Sequence, residues 1–240
     1  MKTRLDRLLV DRALAESREK AQALIMAGEV LVDGQKASKP GQTVDEASRL
    51  EVLARPPYVS RGGFKLAAAL DRFGIDVAGK ACLDIGASTG GFTDVLLQRG
   101  AARVHAVDVG AGQLAWKLRG DPRVVLHEGL NARELTFGDI GEPVDLITCD
   151  VSFISVTLIL PAAAPLLQPD GRMVILIKPQ FEVGKGQVGK GGIVRDPDLH
   201  RQACQRVETA VRGLGFETQI MDSPILGAEG NKEFLLYAHH

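Results

Sequence analysis

Ala81-Cys82-Leu83-Asp84-Ile85-Gly86-Ala87-Ser88-Thr89-Gly90-Gly91-Phe92-Thr93-Asp94 is the stretch that decides the fold. An apolar run enters a loop holding three glycines, and helical spacing resumes from Phe92 to Arg99, so the glycines mark a strand-to-helix turn. Glycine in such a turn lets a ligand approach the backbone closely. Twenty-four residues after Asp84 a second apolar run, Val104 to Val107, ends in Asp108. An open α/β sheet places an acid there to accept hydrogen bonds from a ribose diol, so the pair predicts an adenosine-containing cofactor. The spacing Asp84-x-Gly86-x-x-x-Gly90-Gly91 is not the G-x-G-x-x-G that seats a dinucleotide pyrophosphate on a helix N-terminus. An acid at the strand end suits instead a phosphate-free cofactor with a cationic amino-acid tail. S-adenosylmethionine is therefore the expected cofactor, with Asp84, Gly86, Ser88, Gly90, Gly91, Phe92 and Asp108 as candidate contacts; a glycine-rich turn without a ligand is the plain alternative.

From Ala81 onward, strand-like runs alternate with helical stretches: Cys82 to Ile85, Arg103 to Val107, Val124 to His127, Val144 to Cys149, Arg172 to Ile177, Glu217 to Met221 and Phe234 to Ala238. This predicts an α/β, Rossmann-like fold, a mainly parallel sheet with helices on both faces. Ligands of such sheets bind beyond the C-terminal strand ends. That rule gathers Gly86, Asp108, Asn131, Asp150 and Lys178 on one rim, which adds Asn131 and Asp150 to the candidate cofactor contacts.

Two features of the rim bear on chemistry. Asp150 follows the strand VDLITC and precedes Val151-Ser152-Phe153, without the Pro-Pro-Tyr that amino-group methyltransferases of bases use after their acid. Cys149 stands next to it, but the alternation of the strand points its thiol into the core, against a role as nucleophile. Lys178 ends the run Met173 to Ile177 and precedes Pro179-Gln180-Phe181-Glu182. A desolvated lysine at a sheet rim is a candidate general base for a weakly acidic hydroxyl, with Asp150 and Glu233 expected to hold its amine; a structural ion pair is the alternative. Lys65, in the first turn of the helix that follows Gly62 and Gly63, opposes the helix dipole and calls for a carboxylate partner unless it is simply a surface lysine.

The chain has 240 residues, 45% of them apolar and 25% charged, with net charge -1. These values fit a soluble globular protein with room for one sizeable domain and a small accessory one, and they give no global attraction to nucleic acid. Residues 1 to 61 carry 11 Lys and Arg against 9 Asp and Glu, and the remainder 18 against 21. Three cysteines, two of them in strand-like apolar runs, predict reduced core thiols in a cytoplasmic protein. Neither a signal peptide nor a membrane span is expected, because Ile154 to Leu167 is interrupted by Pro161 and Pro165. The five histidines lack ligand spacing, so no metal is expected.

The first 55 residues read as a small α+β unit. Leu5, Leu8, Leu9 and Ala13 have helical spacing, a second helix starts after Ser17 and stops at Gly28, and Asp33-Gly34 is a hairpin signal between strands. Ala54-Arg55-Pro56-Pro57-Tyr58-Val59-Ser60 has linker chemistry. The expected organisation is 1–55, a linker over 56–62, and a large domain over 63–240. Gly184 to Gly191 approximates a phosphate-binding P-loop, but Gly191 replaces the Ser/Thr and no helix start follows, so it reads as a mobile basic loop. Trp116 reads as core or as a wall of the adenine pocket.

RLDRLLVDRALAESREKAQALIMAGEVLVDGQKASKPGQTV resembles the S4-like RNA-binding module shared by a small-subunit ribosomal protein and many pseudouridine synthases. That resemblance implies an RNA-facing side with Arg4, Arg7, Arg18, Lys20 and Lys36, and Lys185 and Lys190 are candidates in the basic loop. VSRGGFKL, CLDIGASTGGFTDVLLQRGA, VDVGAGQLAWKLR, CDVSFIS and KPQFEVGKGQVGKGG are similar to the TlyA or hemolysin A family, whose catalytic part resembles the FtsJ-type ribose methyltransferases. The resemblance implies a Lys65, Asp150, Lys178, Glu233 tetrad in a class I methyltransferase sheet. It also implies transfer of a methyl group from S-adenosylmethionine to the 2'-hydroxyl of a cytidine in ribosomal RNA, with ribosomal RNA or its subunits as partners. A catalytically silent assembly factor and a membrane-active hemolysin are the competing classes.

Overall fold

The computed structural model describes residues 2–53, 57–227 and 229–240, with every side chain among them except that of Lys185. Residues 1–57 and 58–240 form two compact units. Ala54, Arg55 and Pro56, the first half of the expected linker chemistry, lie outside the described residues.

The first unit runs β1 (Lys2–Arg4), α1 (Leu5–Asp11), α2 (Arg18–Met26), β2 (Val30–Val32), β3 (Gln35–Lys36), β4 (Thr43–Asp45) and β5 (Leu50–Val52). Ser17 caps α2 by accepting the Lys20 N–H through its side chain. Asp33 and Gly34 both take positive φ, 50° and 82°, as a two-residue hairpin between β2 and β3 requires. Leu5, Leu9, Ala21, Ile25 and Val30 are fully buried between the helix pair and the strands. β1 pairs with β4; at three residues each, these strands are too short for alternation to reveal them.

The second unit holds α3 (Gly62–Phe73), β6 (Ala81–Ile85), α4 (Gly91–Gln98), β7 (Arg103–Asp108), β8 (Val124–Glu128), β9 (Val144–Cys149), β10 (Leu167–Ile177), β11 (Glu217–Asp222) and β12 (Phe234–His239). Its sheet has the order β11-β12-β10-β9-β6-β7-β8. The five strands from β10 to β8 are parallel, while β12 runs antiparallel to both β10 and β11. Helices cover both faces. Leu83, Ile85, Ile147 and Ile175 pack with Val207 and Val211 of the helix Pro197–Arg212, and Cys82, Leu146, Val174 and Leu235 pack in a core with α3 and α4. α3 starts two residues earlier than the sequence suggests. Gly63 belongs to its first turn because the Tyr58 ring occupies the space a Cβ would need, 2.4 Å away.

β6 neighbours both β7 and β9. The chain therefore departs to opposite sides of β6, and the crevice opens where the turns after β6 and β9 diverge.

Candidate active site

The turn after β6 is built so that backbone meets backbone. Gly86 has φ +82°, and a Cβ there would lie 2.4 Å from the Asp150 carbonyl oxygen at the end of β9. The Asp150 N–H donates to the Ile85 carbonyl at 2.9 Å, locking the two strand ends together. Asp108 at the end of β7 accepts the N–H groups of Ser88 at 2.7 Å and Gly110 at 2.8 Å, which pins the turn from its other side. Two cavities flank this knot. One of about 490 Å³ is lined by Gly86, Ser88, Asp108, Asn131 and Asp150, and one of about 430 Å³ by Gly86, Gly91, Phe92, Lys65, Asp150 and Lys178.

Asp84 is elsewhere. It is fully buried behind the turn, with Thr93 Oγ1 donating to one oxygen at 2.7 Å and Thr148 Oγ1 to the other at 3.0 Å. Strand alternation turns it away from the rim, so the expected contact with a cationic tail gives way to a brace between β6, β9 and α4. Gly90 likewise packs inward: a Cβ there would meet Leu118 at 2.3 Å. Burial pushes the Asp84 carboxyl up to about 6. A folded-state value above the unfolded one means that its contribution to stability is complete below the unfolded value of 3.8 and is lost as pH rises through about 6. The Asp84→Asn variant, which does not titrate, is expected to gain on the wild type as pH climbs from 4 to 7, by roughly 5–10 °C in relative Tm. Thermal melts across that range check it.

On the other side of the turn two lysines meet two acids. Lys178 Nζ lies 2.6 Å from Asp150 Oδ1 and donates a 2.8 Å hydrogen bond to Ser152 Oγ. Lys65 Nζ lies 2.5 Å from Glu233 Oε2 at the start of β12, with both side chains almost wholly buried. The expected partner of Lys65 is thus Glu233, which pairs with that lysine rather than holding Lys178. The antiparallel return of β12 beside β10 makes the meeting possible: Phe234 stands opposite Ile177, one residue before Lys178.

Three residues that are not among the expected site residues support the site. Ser152 holds Lys178, as above. Glu182, buried and raised in pKa by that burial, accepts the Ser155 hydroxyl at 2.6 Å and the Val156 N–H at 2.8 Å, tying the loop after β9 to the turn after β10. Asn231 accepts from the Val194 N–H and donates to the Gly192 carbonyl, both at 2.9 Å, which holds the segment that follows the basic loop. Cys149 is buried and its thiol pKa is raised, an inert core thiol. Trp116 is 88% exposed and lines neither cavity, so the expectation of core or adenine wall does not hold. Leu118 of its short helix, Trp116–Arg119, and Leu114 just before that helix pack on the turn at Gly90, which leaves the indole outside. His105 and His127 stand 3.2 Å apart across β7 and β8, yet no cluster fit for a metal ion exists among the described residues.

In the first unit Arg4 and Arg18 converge on Asp6. That carboxylate is fully buried and also accepts from Gln22, and the Arg4 guanidinium leads the interactions that hold its pKa far below the ordinary range. Both arginines remain about half exposed. Arg7 pairs with Asp11 and Lys20 with Glu16 on exposed surface, Lys36 is exposed in the hairpin, and Lys190 is exposed in the second unit. The side chain of Lys185 lies outside the described residues.

The family model of the FtsJ-like methyltransferases matches residues 58–240, and that of the S4 domain matches residues 3–50. A protein of Mycobacterium tuberculosis named as the 16S/23S rRNA (cytidine-2'-O)-methyltransferase TlyA is 51% identical over 239 residues, 98% of this chain and 89% of that one. The chain belongs to the TlyA family of FtsJ-like methyltransferases. TlyA-family likeness extends to Hemolysin A of Brachyspira hyodysenteriae, 45% identical over 98% of both chains. A solved structure of a Streptococcus thermophilus protein, described as a candidate hemolysin, superposes with a TM-score of 0.76 at 44% identity over 99% of this chain and 88% of that one. No helix among the described residues of this TlyA-family chain is long and apolar enough to cross a membrane.

Proposed function

We propose that this protein transfers a methyl group from S-adenosylmethionine to the ribose 2'-hydroxyl of a cytidine in ribosomal RNA. The observation that carries the reading is the position of Lys178, which lines the cavity beside the glycine turn and has Asp150 and Ser152 as partners.

The rim suits the cofactor. The Gly86 cradle admits a group no side chain would tolerate, Asp108 keeps lone pairs toward a diol beside its two backbone N–H partners, and Asn131, Ser88 and Phe92 complete the walls. When bound, S-adenosylmethionine supplies an electrophilic methyl group. Lys178 in its amine form takes the proton of the ribose hydroxyl onto Nζ, and the ammonium so formed faces the Asp150 carboxylate. Lys65, fixed by Glu233 with little freedom left, presents its remaining N–H donors to the same cavity and orients the hydroxyl. The Asp6-centred pair Arg4 and Arg18 offers a pre-ordered guanidinium face to phosphates, in keeping with an S4 domain that grips ribosomal RNA in the cytoplasm.

The test is to map ribose methylation in ribosomal RNA from cells with and without the protein, and to restore the mark with purified protein and labelled cofactor. One 2'-O-methylcytidine should disappear and return; unchanged maps would refute the proposal.

A further inference from the structure

Lys178 has two polar neighbours, and they hold its amine differently. Asp150 Oδ1 lies 2.6 Å from Nζ, but the contact lacks hydrogen-bond geometry: that buried oxygen has no hydrogen-bond partner among the described residues. Coulomb attraction depends on distance alone, so the ion pair fixes where the amine sits without fixing its rotation about the Cε–Nζ bond. The 2.8 Å hydrogen bond that Nζ donates to Ser152 Oγ is directional and pins one of the three positions on the nitrogen. Once one is pinned, the other two are fixed as well.

The loop that carries Ser152 keeps it in place. Its start is held by the Asp150 N–H on the Ile85 carbonyl, and its end by the Ser155 hydroxyl and the Val156 N–H, which donate to Glu182. Glu182 closes the single turn, Pro179–Glu182, that follows Lys178, so the hydroxyl and the amine are referred to one element. Between the two anchors Phe153 takes φ +66° and is 93% exposed, so burial does not offset the cost of that backbone. Such strain persists where the surroundings over-determine the chain. Ser152 itself is exposed and lines the cavity that holds Lys178 and Lys65, and its side chain has no hydrogen-bond partner among the described residues except Lys178.

We propose that Ser152 is a positioning residue that fixes the rotation of the Lys178 amine, so that the lone pair of its nitrogen faces the ribose hydroxyl. The inference rests on the ribose-methylation reading above and adds to it the group that aims the base. In the amine form the nitrogen carries two N–H bonds and one lone pair. With one N–H on Ser152 Oγ and the other drawn to the Asp150 carboxylate, the lone pair is left for the third position, toward the cavity that Lys178 lines. When the ribose proton moves onto Nζ it fills that third position, and neither partner has to move.

The experiment measures single-turnover methylation of ribosomal subunits from cells lacking the protein, with cofactor and subunit affinities titrated beside the rate. Ser152→Ala should slow methylation about 10-fold and leave both dissociation constants unchanged. Its Tm should stay within about 2 °C of the wild type, because an exposed side chain supports no core packing. Ser152→Thr, which keeps the hydroxyl, should stay within about threefold of the wild-type rate. In a Lys178→Met background, Ser152→Ala should change the residual rate by less than about twofold, since the hydroxyl acts only through the amine. A wild-type or faster rate in Ser152→Ala, a loss that appears as weaker cofactor or subunit binding, a threonine variant as slow as the alanine one, or an undiminished loss without Lys178 overturns the assignment. A Lys178→Met protein with near wild-type rate would instead overturn the reading on which it rests.

Discussion

Replacing Lys178 by methionine is expected to slow methyl transfer by about 100- to 10,000-fold, the range for loss of a positioned general base, while the cofactor dissociation constant barely moves. Methionine retains most of the aliphatic stem against the sheet rim, so packing is conserved and only the amine is removed. Asp150 is 21% exposed, but the oxygen that faces Lys178 is shut off from solvent, so the substitution also costs some stability, which a thermal melt measures beside the rate. The cavity proposed for the adenosine is lined by Gly86, Ser88, Asp108 and Asn131, and among the described residues the hydrogen-bond and ion-pair partners of Lys178 are Ser152 and Asp150 instead. Rate and cofactor affinity therefore separate. Single-turnover rates with labelled cofactor, set beside calorimetric titration, read the two quantities independently, and a variant with near wild-type rate would remove Lys178 from the chemistry.

The second large effect is on stability. Lys65→Met is expected to destabilise the large domain by about 3–5 kcal/mol, because it strands the Glu233 carboxylate at 3% exposure with no cation. In a domain of this size that corresponds to a fall of roughly 10 °C in Tm. The intact pair is a different matter: Coulomb attraction and desolvation nearly cancel when both charges are buried, so its net contribution is small. The double variant Lys65→Met/Glu233→Leu should accordingly regain most of the lost stability by removing both charges, yet stay inactive because the second lysine of the site is gone. Chemical and thermal denaturation of the three proteins, with methylation assays beside them, decide the matter. Equal stability of the single and double variants would show that the pair acts by attraction rather than by mutual neutralisation.

Much of this protein follows from local sequence. Period-two and fully apolar runs are direct consequences of burial on one or both faces of a strand, which is why Val144–Cys149 and the runs ending in Asp108 and Lys178 mark the rim residues in one dimension. The hairpin at Asp33-Gly34 and the cap at Ser17 are equally local, since each is settled by one residue's own φ or side-chain hydrogen bond. Other assignments needed the assembled sheet. Which lysine meets which acid depends on β12 returning antiparallel beside β10, a pairing between segments more than fifty residues apart. Asp84 faces inward toward Thr93 and Thr148 although its spacing from the glycines suggests a ligand, and Trp116 stands in solvent although its composition suggests a core. Ser152 and Glu182 acquire meaning only when the loop after β9 meets the turn after β10. Chemical type and strand position are written along the chain, whereas a side chain's partner and direction arise when distant strand ends close on one another.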